Sequence, residues 1–171
     1  PETRIYYAVK ANPAPEILKL LARLGSCFDV ASVPEIEMCL AAGAKPEHLS
    51  YGNTIKKERD IAAAHAHGVR LFAFDSEAEL EKIARAAPGA QVFCRLLAGS
   101  EGAEWPLSRK FGCDYAMAKE LMLRAPKLGL VPFGLSFHVG SQQTNPARWD
   151  AAVAETAKLF RELEGLGVEL R

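Results

Sequence analysis

Several features that mark other classes of protein are missing from this sequence. No apolar run approaches the ~20 residues that a membrane-spanning helix needs. Basic and acidic residues both number 21, so the formal net charge is zero and nothing points to nucleic acid or an anionic membrane as partner. The four cysteines, Cys27, Cys39, Cys94 and Cys113, form no CxxC pair. They read as reduced, partly buried thiols of a cytosolic protein, and no His or Cys pair has metal-ligand spacing on one element. There is no Ser- or Pro-rich linker, no low-complexity tract and no sign of a second domain. There is also no initiator Met and no signal peptide; the chain starts at Pro1 and runs straight into a predicted strand. The natural amino terminus is therefore expected to lie outside this sequence.

What is present is a repeating unit. The 171 residues are 49% hydrophobic and 25% charged, an ordinary balance for one globular domain with a real core. A β-branched and aromatic run, Arg4 to Val9, ends in Lys10. Asn12 and Pro13 can then cap and open a helix that runs to about Leu24. Strands are predicted at 27–31, 49–53, 69–74, 91–97 and 132–139. Between them lie helices with apolar faces and glycine stops at Gly25, Gly43, Gly68 and Gly129. Ser32 with Glu35 and Ser76 with Glu79 fit capping boxes. Lys56, Lys57, Glu58 and Arg59 read as the charged face of the third helix. A long connection, 98–113, precedes a helix over 115–128. Pro146 opens a last helix, and residues 168–171 can begin a seventh strand.

This alternation implies a parallel sheet with helices outside. No G-x-G-x-x-G follows the first strand, which argues against a dinucleotide-binding sheet. A barrel typically needs about 250 residues and eight units. The expectation is thus a partial (β/α)8 TIM barrel of about six units, cut at both ends.

In such a barrel the strand ends converge on one face, where the chemistry sits. They deliver Lys10, Asp29 with Ser32, Asn53, Asp75, Arg95, and His138 with Gly140 and Ser141. Each has an ordinary explanation. Lys10 can snorkel to solvent, Ser32 and Asp75 can serve helix starts, and Arg95 can pair with a carboxylate. His138 can be a hydrogen-bonded core histidine, and Gly140-Ser141 a plain turn. Lys10, with apolar neighbours, can instead have its pKa lowered by desolvation and form a Schiff base. Together the set offers a nucleophilic amine, a carboxylate, a flat imidazole and a small polar loop for an anion, which suits pyridoxal phosphate (PLP).

The motifs carry a resemblance. Tyr7-Ala8-Val9-Lys10-Ala11-Asn12 resembles the cofactor-lysine motif of the barrel-type PLP-dependent decarboxylases, most closely the ornithine/lysine branch. Phe28 to Ser32 with Glu35-Ile36, Phe74 to Leu80, Leu107 to Gly112 and Ser136 to Ser141 resemble further elements of that family, in order. The resemblance implies that Lys10 holds PLP as a Schiff base, His138 stacks on its ring and Ser141 binds its phosphate. It implies that Asp29 and Glu35 lie close to Lys10, with Arg95 a neighbour. Pro106 stands where animal ornithine decarboxylases carry an arginine, and Arg109 lies nearby.

The resemblance further implies decarboxylation of a basic amino acid, L-ornithine to putrescine first, by a cytoplasmic homodimer completed by a carboxy-terminal β-domain. That domain is not in this chain, so these 171 residues alone are expected to be inactive and to tend to aggregate. Competing readings are a decarboxylase of lysine, diaminopimelate or arginine, and a non-catalytic decarboxylase-like regulator. An alanine racemase is disfavoured because Pro13-Ala14-Pro15-Glu16, not Tyr-Gly-His-Gly, follows the lysine.

Overall fold

A computed structural model describes residues 3–99, 103–105 and 110–171. Each predicted strand of the first five units forms where expected: β1 (Tyr6–Ala8), β2 (Cys27–Val30), β3 (Leu49–Tyr51), β4 (Leu71–Phe74) and β5 (Gln91–Arg95). Four helices, α1 (Pro15–Arg23), α2 (Val33–Ala41), α3 (Glu58–Ala66) and α4 (Glu77–Ala86), separate them. Then come a short strand β6 (Ala103–Trp105), α5 (Tyr115–Arg124), β7 (Val131–Ser136), β8 (Ser141–Gln143) and α6 (Ala147–Gly165).

Six strands pair in the order β1-β2-β3-β4-β5-β7, all parallel. Every crossover steps one strand further in the same direction. A doubly wound sheet reverses direction midway; a barrel wall does not. The core lies between wall and helices. Phe28, Phe72, Phe74, Ile36, Ile61, Leu80, Ile83 and Met122 are fully buried, each contributing about 1.5–3 kcal/mol of transfer free energy. β4 is buried at all four positions, as a strand covered on both faces should be.

Several boundaries differ from the sequence expectation, each for a local reason. Helix α1 starts at Pro15, not Pro13: the Asn12 side chain accepts from Ala14 N (3.1 Å), an Asx turn that postpones the helix. The helix expected over 115–128 is α5 followed by a 3₁₀ turn, Ala125–Leu128, because Pro126 cannot donate within an α-helix. Gly129 then stops the run with φ 75°.

The sixth wall strand ends at Ser136 rather than Val139, which frees His138 from the sheet. Its register slips opposite Val92/Phe93, where Pro132 has no N–H to offer. The 98–113 connection is not wholly irregular: β6 pairs antiparallel with β8. Residues 168–171 form no strand, although Arg171 N donates to Phe133 O (2.8 Å), one rung alongside β7. Pro106, Leu107, Ser108 and Arg109 lie outside the described residues. Among the described residues no helix is long and apolar enough to cross a membrane.

Candidate active site

The strand ends bring five of the six predicted site residues into electrostatic contact. Lys10 sits in a 3₁₀ turn, Val9–Ala11, just past β1. Val9 is fully buried and anchors the turn, and the Tyr7 hydroxyl donates to Asn12 O (3.1 Å) across it. Lys10 itself is exposed, not desolvated by apolar neighbours as its sequence context suggests.

Asp29 lies in register with Ala8 of β1 and Ser50 of β3, half-buried between fully buried Phe28 and Val30. Burial pushes its carboxyl up; the charges of Lys10 and Arg95 pull it down, and Glu35 pushes it up further. Its carboxylate rests against Gly52, directly after β3. A Cβ at Gly52 would stand 1.9 Å from Asp29 Oδ1, so any side chain there forces Asp29 to turn away.

Glu35 belongs to a capping arrangement, but not quite the expected one. Ser32 Oγ accepts from Glu35 N (3.4 Å), whereas Glu35 Oε2 accepts from Ala31 N (2.6 Å), one residue before the cap. The carboxylate thus steadies the end of β2 just beyond Asp29. Arg95 ends β5, half-buried over the Phe111 ring (5.4 Å). Burial lowers its pKa, and the carboxylates of Asp75 and then Asp29 raise it. Asp75 does not start its helix; Ser76 caps α4, while Asp75 Oδ2 accepts from Gly112 N (2.8 Å).

His138 lies two residues past β7 and is exposed, so the core-histidine explanation fails. Its Nδ1 accepts from Gly140 N (2.9 Å), which requires an unprotonated Nδ1 and leaves the ring proton on Nε2. What burial the ring has lowers its pKa, and repulsion from Arg95 and Lys10 lowers it further. Ser141, the sixth, follows Gly140 and opens β8, opposite Trp105.

Two groups escaped the sequence reading. Lys56 is not on the face of α3, which begins at Glu58. It is buried (4% exposed), and its Nζ donates to Ala73 O (2.6 Å), Asn53 O (2.8 Å) and Glu79 Oε1 (2.9 Å). Cys94 and Cys113, distant in sequence, place their sulfurs 3.5 Å apart in the core.

Residues 1–171 match the family model "Pyridoxal-dependent decarboxylase, pyridoxal binding domain". The lysine/ornithine decarboxylase of Selenomonas ruminantium is 41% identical over 170 residues, covering 99% of this chain and 43% of that protein. Ornithine decarboxylase of Rattus norvegicus is 38% identical over 160 residues, 94% of this chain and 35% of the relative. A crystal structure of an SrLDC mutant in complex with PLP superposes with a TM-score of 0.94 at 41% identity, over 98% of this chain and 44% of that one. The chain therefore spans less than half the length of the relatives it matches.

Proposed function

This chain belongs to the pyridoxal-dependent decarboxylases, as their pyridoxal-binding domain, and on that premise we propose that the complete protein decarboxylates a basic amino acid, L-ornithine first, releasing putrescine and CO2. The observation that carries the proposal is the convergence of Lys10, Asp29, Glu35, Arg95 and His138, from five different elements, on one rim of a parallel wall.

The cofactor is pyridoxal phosphate, and the groups present suit it: a primary amine for its aldehyde, a flat neutral imidazole for its ring and a Gly-Ser step for its phosphate. When bound, it supplies the electron sink that takes up the pair left as the carboxylate departs. The chain's task is placement. Asp29 attracts the Lys10 ammonium and keeps it at the rim. Gly140 N fixes the His138 imidazole by its Nδ1 and so holds one ring face in a set direction. Glu35 holds Ala31 N, and with it the end of β2 that carries Asp29. Arg95, flanked by Asp75 and Asp29, adds its positive charge to the burial that favours a neutral His138. Lys10, whose amine is exposed, would hold the cofactor through its aldehyde.

Lysine as an alternative substrate is supported by the name of the Selenomonas relative. We place the complete protein in the cytoplasm, a reading supported by four free, buried thiols. Its homodimeric state rests on the resemblance alone. The test is borohydride reduction of the protein from its source, then intact mass and a peptide map. A pyridoxyl group on the Lys10 peptide is expected. An unmodified Lys10 on a folded, PLP-saturated protein would refute the assignment and turn attention to a non-catalytic regulator.

A further inference from the structure

The buried pair behind the rim has more to it than an ion pair needs. Lys56 and Glu79 are 4% and 2% exposed, and every polar atom of Lys56 is engaged. Its Nζ donates to Asn53 O, Ala73 O and Glu79 Oε1; its backbone N donates to the same Glu79 oxygen (3.2 Å); its carbonyl accepts from Lys82 Nζ. Lys82 Nζ also meets Glu79 Oε2 (2.5 Å). The Tyr51 ring lies 5.5 Å from the Lys56 ammonium. The segment held in this way, 52–57, is neither helix nor strand. Besides these bonds, its course is held by Gly52 N donating to Val30 O (3.0 Å), by the Asn53 side chain donating to Ile55 O (3.0 Å) and by the first turn of α3 donating to Lys57 O.

The two carbonyls that Lys56 grips have specific neighbours. Asn53 follows Gly52, the surface against which the Asp29 carboxylate rests. Ala73 precedes Asp75 by two residues, and Asp75 reaches Gly112 N. Asp29 and Asp75 are the two carboxylates that act on Arg95, and Asp75 is also close enough to be felt by Lys56. One buried ammonium therefore joins the supports of both acids.

We propose that Lys56 and Glu79 are positioning residues of the cofactor site: they clamp the segment after β3 to the end of β4 and so set where Asp29 and Asp75 hold Arg95 and Lys10. This rests on the reading of the rim as the PLP site. Neither residue touches the cofactor in this scheme; they act through Gly52 and Ala73.

The experiment uses the complete protein with Lys56→Met and with Lys56→Met/Glu79→Met. The double variant removes both buried charges together and keeps the volume, a replacement that folds commonly tolerate. PLP affinity by absorbance titration, the pH midpoint of the visible band of bound PLP, and amide exchange of the 52–55 and 110–113 peptides are measured for each. The expected result is PLP affinity weaker by about tenfold or more, as for other misplacements remote from the chemistry, with a displaced band midpoint and faster exchange in both peptides. Variants that fold but keep the unsubstituted protein's affinity, midpoint and exchange would overturn the proposal, leaving the pair a stability feature only. If Lys56→Met fails to fold, the double variant decides alone. If the unsubstituted protein shows no visible band with PLP, it is the cofactor reading that fails. Exchange then decides the clamp: faster exchange in both peptides supports it, and unchanged exchange removes it.

Discussion

Lys10 and Lys56 follow two wall strands, β1 and β3, yet the fold treats them in opposite ways. Lys10 is exposed, and among the described residues it has the pull of Asp29 but no hydrogen bond. Lys56 is sealed in, and its ammonium has three acceptors within 3 Å. Burial pulls the Lys56 ammonium below the usual lysine range, while Glu79 resists that pull. An amine with all its donors committed cannot take a substrate or cofactor carbon. An amine held loosely by one carboxylate can. Solvent access and unspent donors, rather than burial, separate the reactive lysine from the structural one.

Substituting each lysine separates the two roles most strongly. Lys10→Ala in the complete protein is expected to remove the visible band of bound PLP and to cut turnover by about a thousandfold or more, with little change in stability, because the side chain is exposed. Turnover near the unsubstituted level would end its assignment as the cofactor lysine. Lys56→Met is expected to act on stability as well as on PLP affinity. It strands Glu79 in the core, and breaking a buried pair on one side costs about 3–5 kcal/mol, to be read from the denaturant midpoint.

Much of this contrast could not be read in the sequence. The six units were legible because apolar periodicity, glycine stops and strand composition agree locally, as at Gly129 after α5. Lys10, Asp29, Arg95 and His138 were legible as strand-end residues that a barrel gathers, while Glu35 was legible as a capping residue that the family resemblance sets close to Lys10. Lys56 was not, because Lys56-Lys57-Glu58-Arg59 has the composition of a solvated helix face. Its partner Glu79, 23 residues on, carries the signature of a capping box. The same signature at Glu35 was half right, since its backbone caps and its side chain serves Ala31. Pairings between elements, such as Cys94 with Cys113 or Asp75 with Gly112, leave no local trace.

A subtler test of the contrast concerns Asp29. Its folded pKa is raised, with burial the leading cause. A raised acid contributes stability that is present below its unfolded pKa and lost as pH rises through the folded value. At neutral pH the ionised Asp29 is therefore a cost to the PLP-free protein. Asp29→Asn is expected to raise the melting temperature of that form at pH 7 and to narrow the gap at pH 4, while weakening PLP binding. A lower melting temperature at pH 7 would mean that attraction to Lys10 and Arg95 outweighs burial.

The smallest expected effect belongs to His138, and its sign follows from one hydrogen bond. Nδ1 accepts from Gly140 N, so protonating the ring abolishes that bond and adds a cation near Arg95 and Lys10. Burial, and then repulsion from Arg95 and Lys10, holds the folded pKa below the ordinary 6.5. Between the folded value and 6.5 the unfolded chain binds more protons than the folded one, so stability rises with pH across that window and is lost as pH falls through it. His138→Gln removes the titration and should flatten the stability profile below pH 6.5. PLP binding should be weaker at every pH, because the flat ring face is gone. A profile as steep in the variant as in the unsubstituted protein would place the low-pH sensitivity elsewhere, with the rim carboxylates the first to examine. His138 differs from both lysines in this respect: its ring is held by a bond that exists only while it stays neutral, a form favoured by burial and then by two nearby cations.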